Sequence, residues 1–248
     1  MAVRPSGFAP ITDSTYVRFA IPRSQYVRPV CFPGASGVGS TPRLSAVQVR
    51  RLEITGAFEF TPKSFPDHRG RFVAPFQEAP FVEATGHRLR IGQTNHSVSA
   101  RNVVRGVHFA DVPPGQAKYV YCPQGALLDV VVDVRVGSPT FGRWEAVRLD
   151  STDYRALYLA EGLGHAFLAL TDNTVMSYLC STPYNPSAER GIDPFDPELG
   201  LPWDQLDGEP IMSEKDRAAP SLAEAAAAGL LPDYETCLAH YEKLRTEG

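Results

Sequence analysis

The chain has 248 residues, of which 43% are hydrophobic, 21% charged and 10% aromatic, with a formal net charge of −4. This composition is typical of a globular protein with one good-sized core, and it excludes collagen, coiled coils and wholesale disorder. The negative charge argues against a broad basic surface for nucleic acid. No apolar run approaches the roughly 18 residues of a membrane-spanning helix, so we expect neither nucleic acid nor a membrane as a partner.

The N-terminal segment, residues 1–50, differs from the rest of the chain. It carries six arginines against a single acid, Asp13, together with many Pro, Gly and Ser residues and no sustained apolar period. We predict a basic, flexible extension. Two alternatives stay open: an arm that touches a partner, and a true start near Val47 or Val49.

Cysteine usage indicates the redox environment. The four cysteines are widely scattered and form neither a CxxC pair nor a zinc-binding spacing: Cys31, Cys122, Cys180 and Cys237. The first residues also lack the apolar region of a secretory signal. We therefore expect reduced thiols in a cytoplasmic protein.

Residues 52–180 have the pattern of β-structure, because short runs rich in Val, Ile, Tyr and Phe alternate with Gly, Pro, Asn and Asp breaks. The candidate strands are 52–60, 89–98, 103–109, 117–122, 125–136, 144–149, 154–160, 165–171 and 174–180. Many short strands without intervening helices predict an all-β fold, a sandwich or cupin-like jelly roll, and disfavour a parallel α/β sheet.

Residue patterns typical of helices occur in two segments. Residues 79–86 allow one or two turns, and 221–244 predict two short helices separated by Gly229 and Pro232. We accordingly predict a jelly-roll domain over 51–219 and a C-terminal helical tail over 220–248.

Polar side chains fall on strand faces that should point inward. Alternation places His108, Lys118, Asp129, His165 and Tyr178 on the same faces as apolar neighbours, each on a different strand. One such histidine is usually a hydrogen-bonded core residue. Five polar residues over five strands instead predict a lined cavity.

Arg105 lies on the opposite face from His108 if the strand is regular. Gly106 between them favours a β-bulge that re-aims one of the two side chains, a common use of bulges near functional sites.

Several chemistries lack their motifs. A cupin metal site needs a His-x-His pair, but Val107 and Phe109 flank His108, and only His165 resembles a further ligand. No G-x-S-x-G, G-x-G-x-x-G or Walker A sequence occurs, which argues against a serine nucleophile, a dinucleotide cofactor and ATP. The remaining His, Lys, Tyr, Arg and carboxylate side chains suit proton transfer beside a carbonyl, as in a cofactor-independent racemase or epimerase.

The same residues carry a family resemblance. The motifs are RNVVRGVHF (101–109), PPGQAKYV (113–120), LLDVVVDVRVGSPTFGRWEAVRL (127–149), YLAEGLGHAFLAL (158–170), YNPSAERGI (184–192), DPELGLPW (196–203) and MSEKD (212–216). In order and spacing, from about Arg51 to Ala219, they resemble the dTDP-4-dehydrorhamnose 3,5-epimerase family. The PPGQAKY variant is most similar to members that make deoxysugars for antibiotics.

The resemblance implies a jelly-roll homodimer without a metal or organic cofactor. It implies that His108 is the base that removes the proton next to a ketone and that Asp216 orients this histidine. It further implies that Tyr178 is the proton donor and that Lys118 faces the ketone oxygen.

Nucleotide-binding positions also carry over from the resemblance. It implies a diphosphate site at Arg69 and Arg105 and a stacking residue for the base at Tyr184. The other implied pocket positions are Gln93, Thr94, Asn95, His165, Glu189 and Lys215. One departure is Ala74, which stands where the family commonly has a nucleotide-binding Glu.

We therefore expect an epimerase that inverts C3 of dTDP-4-keto-6-deoxy-D-glucose, with inversion of C5 left open. The alternatives are a 3,4-ketoisomerase acting on the same substrate, a catalytically silent sugar-nucleotide-binding protein and, most distantly, a metal-dependent cupin oxygenase.

Overall fold

Two antiparallel sheets face each other in the part of the chain that the structure, a computed structural model, describes: residues 47–247. The six-stranded sheet has the order β1-β2-β10-β7-β12-β5, and the five-stranded sheet has the order β13-β6-β11-β8-β9. The strands of the first sheet are β1 (Gln48–Arg51), β2 (Ala57–Thr61), β5 (Gln93–Ser99), β7 (Lys118–Gln124), β10 (Ala156–Leu159) and β12 (Thr174–Cys180). Those of the second are β6 (Val104–Ala110), β8 (Ala126–Val132), β9 (Trp144–Asp150), β11 (Gly164–Ala169) and β13 (Glu189–Gly191).

A two-stranded hairpin, β3 (Ser64–Asp67) and β4 (Gly70–Val73), pairs with neither sheet. The described helices are α1 (Glu78–Thr85), α2 (Glu214–Arg217), α3 (Leu222–Ala227) and α4 (Tyr234–Glu247). The predicted all-β jelly-roll architecture with short C-terminal helices is confirmed.

Alternating side chains build the core between the sheets. Val120 and Leu157 point inward from the six-stranded sheet and meet Leu127, Val131 and Phe167 from the five-stranded sheet. All five are almost completely buried. Burial of such side chains stabilises the fold by roughly 1.5–3 kcal/mol each. The polar residues at one end of these faces therefore sit on a rigid support.

Each predicted strand overlaps an observed one, but the strands predicted at 52–60, 89–98 and 125–136 were too long, because β2 begins at Ala57, β5 begins at Gln93 and β8 ends at Val132. Residues 52–56 form a turn in which Ala57 N–H donates to the Ile54 carbonyl, and Gly56 adopts φ +92°. The short strands β1, β3, β4 and β13 were not predicted because they are polar, exposed or interrupted by Pro66.

The predicted helices at 79–86 and 221–244 are confirmed as α1, α3 and α4, whereas α2 was not predicted. The C-terminal segment is more than a tail, because it packs on the sheets. Leu222 and Ala225 of α3 join the cluster behind β6 and β8, and Cys237 and Tyr241 of α4 join the cluster beside β2 and β10.

The N-terminal boundary also shifts. Residues 47–50, assigned to the predicted extension, include the start of β1, while residues 1–46 lie outside the described part. Cys122, Cys180 and Cys237 are free and buried, and Cys31 lies outside the described residues. Among residues 47–247, no helix has the length and apolar character needed to cross a bilayer.

Candidate active site

A pocket of about 260 Å³ opens between the two sheets, where β5, β7 and β12 approach β6 and β11. Four of the five inward polar residues predicted from strand alternation line it: His108, Lys118, His165 and Tyr178. The fifth, Asp129, lies directly behind His165. The predicted lined cavity is therefore present.

Two further hollows adjoin this pocket, with volumes of about 350 and 420 Å³. All three share Tyr184 and Glu189 in their walls. Ligand sites commonly have volumes of about 300–1,000 Å³. The combined space therefore suits a ligand that is larger than a monosaccharide.

His108 is held by a carboxylate from the far end of the chain. Its Nε2–H donates to Asp216 Oδ1 over 2.7 Å, and the carboxylate side chain is 6% exposed. Burial raises the pKa of Asp216, but hydrogen bonds from His108, Ser213 and the Gly106 backbone outweigh it and hold the pKa below its usual value. The carboxylate therefore stays ionised near neutral pH and orients the ring, and Nδ1 makes no hydrogen bond to another described residue.

Local structure explains how Asp216 reaches β6. Ile211 pairs with Val103 in an isolated bridge, which fastens the segment before α2 alongside β6. Ser213 then caps α2 by accepting a hydrogen bond from the Asp216 backbone N–H. Asp216 is thus one turn into a capped helix, with its side chain against His108.

A β-bulge brings Arg105 and His108 to one pocket. His108 pairs with His165, and Arg105 pairs with Phe167, so Gly106 and Val107 oppose the single residue Ala166. Both side chains line the pocket, as the bulge hypothesis requires.

Gly106 is required at this bulge. It adopts φ +117°, and a Cβ there would lie 2.6 Å from Ala166 Cα. We expect Gly106→Ala to displace the β6–β11 pairing and lower the melting temperature. Turnover should fall by about tenfold or more, since small shifts of catalytic groups are costly. Thermal unfolding and steady-state kinetics check this. The control is Gly229→Ala between α3 and α4, where φ is also positive (+67°) and an added Cβ would meet no atom within 4 Å. Equal effects of the two substitutions would contradict a special role for the bulge.

His165 forms a second histidine–carboxylate pair. Its Nε2–H donates to Asp129 Oδ1 over 2.7 Å, and Asp129 is completely buried. Asp133, two residues along, instead pairs with the buried Arg135 over 2.8 Å. The two acids therefore differ: Asp129 supports the pocket and Asp133 supports the fold.

Tyr178 faces the five-stranded sheet from β12. Its ring lies 6.1 Å from that of His165, centroid to centroid, in an edge-to-face arrangement. Burial raises the pKa of Tyr178 well above its usual value, and the hydrogen bond shared with Ser97 over 3.3 Å only partly opposes this. The phenol therefore keeps its proton at neutral pH and can donate it.

Lys118 begins β7 at the pocket wall. Burial lowers its pKa, and the nearby Cys180, Glu189 and Asp129 partly oppose the shift. An ammonium ion in such a partly desolvated position interacts strongly with any negative charge that develops beside it.

The three nucleotide-binding positions predicted on β5 do not all face the same way. Gln93 and Asn95 point inward and bond each other over 2.7 Å, and Gln93 Oε1 also accepts from the Tyr184 N–H. Thr94 is exposed between them, so strand alternation places its side chain on the outer face. Thr94 therefore does not line this pocket, and its binding role stays a prediction.

The remaining predicted binding residues cluster at the pocket mouth. Lys215 Nζ lies 3.1 Å from Glu189 Oε1, and Arg105 donates to Ser99 Oγ. Tyr184 is exposed at the junction of the three hollows. Two cationic side chains, Arg105 and Lys215, therefore lie beside His108 at the pocket mouth.

Like Gln93 and Thr94 on β5, the predicted site residue Arg69 is absent from the pocket walls. It lies in the β3–β4 turn, paired with Asp67, and its side chain is 78% exposed. It is absent from the walls of all three hollows. Its binding role stays a prediction.

Sequence reasoning missed five further residues of the pocket walls: His96, Ser97, Gln116, Phe167 and Cys180. Ser97 and Cys180 were detectable in principle, because alternation puts them on the faces of Asn95 and Tyr178. Gln116 lies in a loop, for which alternation gives no signal. Within residues 47–247, no three His, Cys, Asp or Glu side chains form a group that could hold a metal ion.

Comparison with known proteins identifies the family. The family model for dTDP-4-dehydrorhamnose 3,5-epimerase matches residues 51–224. A dTDP-4-dehydrorhamnose 3,5-epimerase of Mycolicibacterium smegmatis is 55% identical over 79% of this chain and 96% of its own length. A dTDP-4-dehydrorhamnose 3-epimerase of Streptomyces niveus is 52% identical over 78% of this chain and 92% of its own.

Solved structures show the same relationship. ChmJ, a 3'-monoepimerase from Streptomyces bikiniensis solved in complex with dTDP-quinovose, superposes with a TM-score of 0.76 at 48% identity, covering 79% of this chain and 98% of ChmJ. An epimerase of Mycobacterium tuberculosis gives a TM-score of 0.78 at 47% identity, covering 80% of this chain and 100% of its own. With its jelly-roll fold and the pocket at His108, the chain belongs to the dTDP-4-dehydrorhamnose 3,5-epimerase family.

Proposed function

We propose that the protein epimerises dTDP-4-keto-6-deoxy-D-glucose at C3. The observation that carries this proposal is the His108–Asp216 pair, which faces Tyr178 and Lys118 across one pocket. Relatives named as 3-epimerases and 3,5-epimerases, each about half identical to this chain, support the reaction class.

The proposed mechanism begins with His108. Oriented by Asp216, its Nδ1 removes the proton from C3, which the adjacent C4 ketone makes acidic. The electron pair moves onto the ketone oxygen, and the Lys118 ammonium stabilises this enolate. No bond to carbon other than C–H has to break.

Inversion requires a proton to reach C3 on the other face, where the Tyr178 O–H donates it as the enolate electron pair returns to C3. His108 then releases the abstracted proton to solvent, and the tyrosinate takes one up. His108 lies on the five-stranded sheet and Tyr178 on the six-stranded sheet, so the two side chains approach a bound sugar from opposite sides. Tyr178 is protonated at neutral pH because its pKa is raised by burial. This placement favours epimerisation over movement of the keto group.

The charges at the pocket mouth suit a nucleoside diphosphate. We assign Arg105 and Lys215 to the diphosphate, because guanidinium and ammonium donors form charge-assisted hydrogen bonds with phosphate oxygens. We assign Gln93, Asn95 and Tyr184, which are joined by hydrogen bonds, to the thymine base. We assign His165 to the wall of the sugar pocket.

We also propose that the protein is a cytoplasmic homodimer. The β3–β4 hairpin exposes Phe72, which is 68% accessible, beside Arg69. A second copy would cover this apolar side chain and would allow Arg69 to reach a phosphate that its own pocket does not offer. Sedimentation of the wild type and of Phe72→Ser tests this. We expect a dimeric wild type and weaker association of the variant, and a monomeric wild type would contradict the assembly.

The reaction is tested by incubation with the keto sugar nucleotide in deuterated water, with NMR reading of the label. Deuterium at C3 with inversion there supports a 3-epimerase, and label at both C3 and C5 supports a 3,5-epimerase. Conversion to a 3-keto sugar would support the ketoisomerase instead. No label at either carbon would contradict the proposal.

Replacement of the donor should separate inversion from proton exchange. We expect Tyr178→Phe to lower inversion at C3 more than exchange of the C3 proton with solvent, since abstraction and return of a proton by His108 do not need the phenol. NMR measures both the label and the configuration at C3. Equal losses of inversion and of exchange would contradict the role of Tyr178 as donor, and Tyr154→Phe, outside the pocket walls, serves as the control.

The alkaline side of the pH–rate profile should report Lys118. Because burial lowers its pKa, the ammonium loses its proton below the usual value of 10.5, and kcat should fall as the pH rises through that lowered pKa. In Lys118→Arg, whose guanidinium stays charged, the residual activity should not decline over the same range. An unchanged alkaline limb in the variant would assign it to another group.

A further inference from the structure

A buried carboxylate outside the proposed catalytic set touches the segment that delivers Lys118. Glu161 is 3% exposed and lies in the turn directly before β11, which carries His165. Its Oε2 is buried and has no hydrogen-bond partner among the described residues. Its Oε1 accepts a hydrogen bond from Ser181 Oγ over 3.1 Å.

The loop before Lys118 is fastened to the end of β12. The Ala117 N–H donates to Ser181 Oγ over 2.8 Å, and the Ser181 N–H donates to the Ala117 carbonyl over 3.0 Å. Thr182 Oγ1 donates to the Gly115 carbonyl over 2.9 Å. These bonds set where β7 begins, and therefore where Lys118 enters the pocket.

The Ser181 hydroxyl can accept the hydrogen bond from the Ala117 N–H only when its own proton points elsewhere. A hydroxyl carries one proton, and it must point away from a donor that it accepts from. Glu161 Oε1 receives that proton and leaves a lone pair for the Ala117 N–H. The carboxylate thus fixes the direction of the Ser181 hydroxyl.

The position of Glu161 is itself set from two sides. The Tyr241 hydroxyl of α4 donates to its backbone carbonyl. On the other side, a Cβ at Gly115 would lie 2.7 Å from Glu161 Cβ, so the loop packs directly against the stem of this side chain. The side chain therefore has little freedom to turn away from Ser181.

We propose that Glu161 is a positioning residue for Lys118, acting through the hydroxyl of Ser181 on the backbone of Ala117. The inference rests on the proposed function, in which Lys118 stabilises the enolate. Glu161 itself touches no reacting atom. Its contribution is the alignment of the ammonium ion with the ketone oxygen, where a small misplacement is costly.

The test compares Glu161→Gln, which keeps an acceptor for Ser181, with Glu161→Leu, which removes it at similar volume. We expect Glu161→Leu and Ser181→Ala each to lower kcat about tenfold with little change in KM. Glu161→Gln should stay within about twofold of the wild type, and the double variant Glu161→Leu/Ser181→Ala should be no worse than either single variant.

A readout other than activity accompanies the kinetics. Hydrogen exchange of the Ala117 amide should quicken in Glu161→Leu and Ser181→Ala but not in Glu161→Gln. Should Glu161→Leu fail to fold, Ser181→Ala against Ser187→Ala, an exposed serine in a turn, carries the same test. Additive losses in the double variant, a Gln variant as slow as Leu, or an unchanged Ala117 exchange rate would overturn the inference.

The wild type separates this inference from the proposed function. A wild type that places no deuterium at C3 would contradict the epimerase proposal itself. A wild type that exchanges normally, with variants that do not differ from it, would overturn only the role of Glu161.

Discussion

Replacing His108 by alanine should abolish turnover, with a loss of at least 10³-fold in kcat, while the fold and the affinity for dTDP stay nearly unchanged. The reason is the position of His108. His108 and His165 each have a buried carboxylate partner at 2.7 Å, but among the described residues only His108 also lines the hollow that contains Arg105 and Lys215. Its side chain is 25% exposed, lies in the pocket wall and belongs to none of the three apolar clusters of the core, so its removal should leave the core intact. Product formation followed by NMR and dTDP binding followed by calorimetry measure the two quantities.

The matched control is His240→Ala on α4, outside the pocket walls that contain His108. It should leave turnover within about twofold of the wild type, as surface substitutions usually do. Substantial activity in His108→Ala would refute its role as base. Loss of dTDP affinity in parallel with turnover would instead indicate that His108 serves binding.

Replacing Lys118 by methionine should lower kcat by about 10²–10³-fold, the usual effect of removing one stabilising group from a developing oxyanion. Methionine keeps the length and apolar stem of the side chain but removes the charge. Because the wild-type ammonium is partly desolvated in the pocket, the fold should tolerate the neutral replacement, and thermal stability should change little. Steady-state kinetics and thermal unfolding measure these two effects.

Lys243→Met provides the comparison, since that side chain is 65% exposed on α4 and pairs with Glu247. It should leave kcat unchanged. A comparable loss of kcat in both variants would show that general electrostatics, rather than placement beside the ketone, accounts for the effect. A large fall in melting temperature for Lys118→Met alone would assign Lys118 a structural role.

The central strands and the lined cavity were predictable because they depend on local alternation. Successive side chains of a strand point to opposite faces, so one inward position fixes the direction of the others, even in β8 and β11, which are buried on both faces. The bulge at Gly106 was predictable for a similar reason: a glycine between two functional side chains in a strand commonly marks an irregularity.

Partners that meet only through the fold were not predictable from the residues themselves. Asp216 lies 108 residues from His108 and Ser97 lies 81 residues from Tyr178, and no local period connects such positions. The family resemblance supplied Asp216, but it gave no sign of Ser97 or of the Glu161–Ser181 hydrogen bond.

The hairpin and the C-terminal helices show a different limit. Strands β3 and β4 bury little surface against either sheet, so their sequence carries no clear apolar signal. The helical pattern of α4 was recognised, but its packing was not. Tyr241 is held in the core by a hydrogen bond from Arg135, which lies 106 residues earlier in the chain.

The most direct measurement is the rate at which solvent deuterium enters C3 of dTDP-4-keto-6-deoxy-D-glucose, compared between the wild type and His108→Ala at equal occupancy by the nucleotide sugar. We expect rapid incorporation in the wild type and none above the uncatalysed rate in the variant. Incorporation by His108→Ala at a rate near that of the wild type would contradict proton abstraction by this histidine.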